Sequence, residues 1–152
     1  MANLLTPVSL DELTAIRARF FLARSSRAKE EKILVVKYEG AGRSGVDGEL
    51  DGRFMLAMGK AALTAWEPDG LVIDLTDLDF RQLVEGLASL LYLGAGVFGH
   101  ENLPQAVVVG PGCEEAIRSF FSEPTRELAH DLASAMDYVE EEMAKLDARF
   151  SR

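Results

Sequence analysis

Three aspartates, Asp74, Asp77 and Asp79, follow one another at the end of the apolar run Leu71-Val72-Ile73. Carboxylates at the C-terminal end of a buried strand sit where parallel sheets usually bind ligands, and three of them could hold Mg²⁺. The same acids could also cap the following helix and keep the strand end hydrated. No companion phosphate-binding lysine or threonine stands out, so no metal or cofactor is implied. A second candidate is Gly110-Pro111-Gly112-Cys113, which turns out of the run Ala106-Val107-Val108-Val109. Glycines before a helix can form an anion nest, and a cysteine at a helix start favours thiolate. Glu114 and Glu115 already answer the positive end of that helix. A cysteine nucleophile needs a base, and the histidines are His100, placed before the third strand, and His130, placed on the polar face of the last helix. Asp74, Thr76, Gly110, Gly112 and Cys113 are therefore ligand-binding candidates, and no residue is assigned a catalytic role.

Gly40-Ala41-Gly42-Arg43-Ser44-Gly45 matches the dinucleotide pattern GxGxxG directly after a strand. The expected context is wrong: Lys37 and Glu39 interrupt the strand, Asp47, Glu49 and Asp51 would repel phosphate, and residues 40–48 are expected to be a loop. The pattern recurs at Gly94-Ala95-Gly96-Val97-Phe98-Gly99, at a helix end, where it cannot serve that purpose.

These residues need elements to position them. Ser9 and Glu12 have capping-box spacing, and Leu10, Leu13, Ile16 and Phe20 recur at roughly helical intervals, which predicts a helix over 9–23. Ile33-Leu34-Val35-Val36, Leu71-Val72-Ile73-Asp74-Leu75 and Ala106-Val107-Val108-Val109 read as strands. Helices are expected from Leu50 to Trp66, around Leu83 to Leu91, from Ala116 to Phe121, and over 125–150. In the last, Met136, Val139, Met143, Leu146 and Phe150 form an apolar seam that could pair with another helix and make a homodimer. The order α-β-α-β-α-β-α-α predicts an α/β fold, a small, mostly parallel or mixed sheet covered by helices, in one domain spanning 1–152.

Composition limits the functions. The 152 residues carry 25 acidic and 16 basic side chains, a net charge of -9, so nucleic acid and anionic membrane are poor partners. One cysteine excludes an internal disulfide and a multi-cysteine zinc site. Without a signal-like N-terminus or a membrane-length apolar run, a cytoplasmic location is expected.

From Ile33 to Phe121 the chain resembles a STAS domain, the anti-sigma-factor-antagonist fold. The resemblance is carried by Ile33-Leu34-Val35-Val36, Gly48-Glu49-Leu50-Asp51, Gly70 through Phe80, Gly86-Leu87, Leu90-Leu91 and Ala106 through Gly110. It implies a STAS-like core over 33–121, with an extra helix at each end, acting as a non-enzymatic module that binds a protein partner. Asp77, Asp79, Arg81, Gln82 and Glu85 are then partner-binding candidates. Where many family members carry a phosphorylated serine, this sequence reads Arg81-Gln82-Leu83-Val84-Glu85. Residues 103–113, running into a helix, are also similar to the core of the Clp protease and crotonase superfamily, which would imply a small enzyme or degenerate relative acting on an acyl substrate.

Overall fold

The computed structural model describes residues 3–27, 30–98 and 101–150. His100 and Gly99 lie outside them. Ten elements, after a short 3-10 turn at Leu10–Glu12, run in the order β1 Arg17–Arg24, β2 Lys32–Ala41, α1 Gly45–Trp66, β3 Gly70–Leu75, β4 Leu78–Asp79, α2 Glu85–Leu90, β5 Gln105–Val109, α3 Glu114–Arg118, β6 Leu128–Ala129 and α4 Leu132–Phe150. The strands form one mixed sheet, ordered β1-β2-β3-β5-β6, with β4 pairing separately to the end of β2. β1 is antiparallel to β2; the pairs β2–β3, β2–β4, β3–β5 and β5–β6 are parallel.

The runs read as central strands are central because nearly every side chain on them is apolar. β3 and β5 are buried along their whole length, as strands covered on both faces must be. Alternate residues divide between two cores. Leu34, Val36, Tyr38, Leu71, Ile73, Val107 and Val109 face Phe54 and Met55 of α1, Leu87 and Leu90 of α2 and Ile117 of α3. Ile33, Val35, Val72, Ala106 and Val108 face Ala135, Val139 and Met143 of α4. On the first face the helices meet through backbone: a Cβ added at Gly86 would stand 2.3 Å from the carbonyl carbon of Gly52. Tyr38 is fully buried there, and its hydroxyl donates to the Met55 carbonyl at 2.6 Å.

Several expectations are corrected. The helix expected over 9–23 is replaced by β1. Ser9 does accept a hydrogen bond from the Asp11 backbone N–H, but it caps only the three-residue turn. Leu10, Leu13, Ile16 and Phe20 coincide with a helical period while the eight-residue ladder from Arg17↔Glu39 to Arg24↔Lys32 decides the structure, a tertiary pairing that overrides local pattern. The loop expected over 40–48 ends early: α1 begins at Gly45 with Ser44 as its extended N-cap. The helix expected over 125–150 starts at Leu132, where the Asp131 carboxylate accepts from the Ser134 N–H at 2.7 Å. Before it, Leu128 and Ala129 form β6 beside Val107 and Val108. α3 ends at Arg118 rather than reaching Phe121. Within the apolar seam of α4, Val139 at 0% and Met143 at 1% exposure pack on the sheet of the same chain.

Candidate functional site

Leaving β3, the chain does not continue straight to a helix. It turns at Thr76 and Asp77 and crosses over the end of β2, where Gly40 pairs with Leu78 and Ala41 with Asp79. Backbone hydrogen bonds hold this crossing from both sides. Gly40 and Gly42 N–H groups donate to the Asp77 and Asp79 carbonyls, and the Phe80 N–H donates to the Gly112 carbonyl. Leu78, Phe80 and Val84 are buried, while Thr76, Asp77, Asp79, Arg81, Gln82, Leu83 and Glu85 are exposed. A short, irregular segment with alternate anchors can thus present a fixed row of side chains.

The three aspartates do not converge. Asp74 is 7% exposed, and its Oδ1 accepts from the backbone N–H and hydroxyl of Thr76. Asp77 pairs with Lys37 Nζ at 2.7 Å, and this bond, opposed by burial, raises the lysine above its ordinary value. Asp79 Oδ1 accepts from Arg81 Nε at 2.7 Å on the open surface. Among the described residues no group of three or more His, Cys, Asp or Glu is placed to hold a metal ion.

Gly110 and Gly112 do come against this segment, as packing partners. A Cβ at Gly110 would lie 2.1 Å from the Thr76 carbonyl oxygen, and one at Gly112 would lie 2.6 Å from that of Leu78. The Cys113 and Glu114 N–H groups, which a nest would turn toward an anion, both donate to the Gly110 carbonyl instead. Cys113 is 2% exposed, its thiol faces the Leu75 carbonyl at 3.4 Å, and burial pushes its pKa up, away from a reactive thiolate. His130, expected on the last helix, lies in the connection from β6 to α4, where it is exposed and meets Glu114; that contact holds the Glu114 carboxyl below its usual value.

The GxGxxG stretch does lead from a strand into a helix, contrary to expectation, yet its space is also taken. The Phe80 ring stands where a Cβ on Gly42 would be. Arg43 turns inward: its backbone N–H reaches Asp51 at 2.7 Å and its Nη2 reaches the same carboxylate at 2.8 Å and the Leu13 carbonyl at 2.7 Å. Asp51 is fully buried. Burial alone would raise its pKa, but hydrogen bonds from Arg43 and Thr14 hold it below the ordinary carboxylate value. The acid expected to repel phosphate is instead the knot joining the N-terminal segment to α1.

The pairing of Lys37 with Asp77 and of Asp51 with Arg43 escaped the sequence reading. Lys37 carried a signal in the end: a lysine on a mostly buried strand needs a counter-charge, and Asp77 supplies it. No helix of the described residues is long and apolar enough to cross a membrane. No family model matches the chain, and no curated protein or solved structure is significantly similar to it.

Proposed function

We propose that this chain is a non-enzymatic protein-binding module of STAS-like architecture, which engages its partner through the row Asp77, Asp79, Arg81, Gln82 and Glu85. The observation that carries the reading is the alternation along 77–85: buried Leu78, Phe80 and Val84 pin the segment, and the polar side chains between them stand outward. A surface fixed in advance loses little conformational entropy on binding. The strand β1 supports the STAS resemblance, because it stands where that family has a leading strand and the sequence pattern suggested a helix. With Arg81-Gln82-Leu83-Val84-Glu85 lacking a hydroxyl side chain, recognition here does not depend on phosphorylation of the row itself.

A pull-down from native-source lysate, with native mass spectrometry of the purified chain, tests the reading. A stoichiometric protein partner is expected, lost with Arg81→Glu and kept with Lys145→Glu on the outer side of α4. A retained small molecule, or a partner indifferent to Arg81→Glu, would count against it.

A further inference from the structure

The edge strand β1 is unlike the other strands in one respect: its middle carries large apolar side chains on both faces that are only about half covered. Phe21 is 45% and Leu22 49% exposed, at adjacent positions that point to opposite sides of the sheet. On the α1 side, Leu22 lies beside Phe20, whose ring packs on Trp66 at 5.5 Å between centroids. On the α4 side, the Arg19 guanidinium covers the Phe21 ring at 5.4 Å, while α4 itself packs on β3, β5 and β6. Among the described residues β1 pairs with β2 alone, so the N–H and C=O groups of its outer side have no strand beside them. Exposed apolar residues on both faces of one edge are what a strand shows when the sheet is made to continue.

We infer that β1 pairs with β1 of a second copy, antiparallel and centred on Phe21, to join two sheets into one. The sequence of the strand argues for this occupant. A two-fold axis normal to the sheet keeps every side chain on its own face, so residues can oppose one another only when both lie on the same face. Arg17 and Arg19 lie on the α4 face and Arg24 on the α1 face, as their partners on β2 fix. Arg24 therefore cannot oppose either of the others. With Phe21 facing its own counterpart, Phe20 faces Leu22, Arg19 faces Ala23 and Arg24 faces Ala18. Apolar residues meet in the middle, and Arg19 and Arg24 each meet an alanine, which leaves room for the guanidinium and avoids like charges directly opposed.

Electrostatics supply a signature. Each copy carries a net charge of -9, so salt should tighten the dimer by screening. An acidic strand from another protein, held by the arginines of β1, would instead let go as salt rises.

Sedimentation of the full chain at rising concentration and salt is the first test. The expected species has twice the 16.6 kDa chain mass, populated by about 100 µM and more so at high salt. Phe21→Glu should return it to the monomer with unchanged circular dichroism. Phe21→Cys should form an intermolecular disulfide under mild oxidation, since opposed Cβ atoms on antiparallel strands lie about 5 Å apart, whereas Ala57→Cys on the open side of α1 should not. If Phe21→Glu fails to fold, the cross-link decides alone. A monomer at every concentration and salt overturns the inference, as does a dimer that Phe21→Glu leaves intact and Phe21→Cys does not link.

Discussion

The two faces of the sheet are held in different ways. On one, α1 and α2 touch through their backbones at Gly52 and Gly86, and Phe54, Met55, Leu87, Leu90 and Ile117 close over a large apolar layer. On the other, a single helix, α4, presses Ala135, Val139 and Met143 into a smaller core. Its remaining ties are polar: the Ser26 N–H and hydroxyl both reach Glu140 at 2.7 Å, and Arg27 reaches Asp147 at 3.1 Å. One helix cannot span the sheet. The first face is thus a rigid block, and the second is a clamp that leaves Phe21 open. The exposed strand β1 and the exposed side chains of residues 77–85 are thus set against the same well-packed layer, one at its edge and one at its strand ends.

The largest effect should come from Gly86→Ala. The new methyl would meet backbone atoms of Gly52 and Arg53 at 2.3 to 2.6 Å, and backbone cannot swing aside as a side chain does. A loss of more than about 3 kcal/mol is expected in urea titration. On the opposite face, Val139→Ala leaves a cavity among side chains that can partly relax, and about 2 kcal/mol is expected. Equal losses at the two positions would remove the contrast between a backbone contact and a side-chain clamp.

How much of this was legible in the sequence follows the same division. Ile33 to Val36, Leu71 to Leu75 and Ala106 to Val109 announced themselves as strands, because a strand buried on both faces needs an unbroken apolar run. Leu78–Asp79 and Leu128–Ala129 are too short to have a period, and only their partners on β2 and β5 make them strands. β1 was hidden for a different reason. Its ladder to β2 is a long-range fact, while its residues imitate a helix locally. The opening of α1 was hidden by its glycines, which read as a loop. The place of the candidate site, at the end of β3, was visible in the aspartates. What each aspartate does was not: Asp74 bonds to Thr76 two residues on, Asp77 to a lysine on another strand, and Asp79 to Arg81 at the surface.

The smallest effect expected lies at the edge of the α4 clamp, where half-buried Glu127 lines a cleft together with Tyr138 and Glu142. Burial first, and then the Glu142 charge, raise its pKa above the ordinary value near 4.5. A carboxyl whose native pKa is raised binds more protons folded than unfolded between the two values. Stability is therefore lost as pH rises through that window, and the penalty is complete above the native value. Glu127→Gln removes the charge and with it the penalty. At neutral pH the variant should be the more stable, by less than about 1 kcal/mol, and its advantage should shrink to nothing as pH falls below the unfolded value. Urea titrations of both proteins at several pH values check the sign. A variant less stable at neutral pH would mean that the Glu127 carboxylate holds α4 in place by a bond stronger than the repulsion from Glu142, and the clamp would then be polar at its edge on both sides.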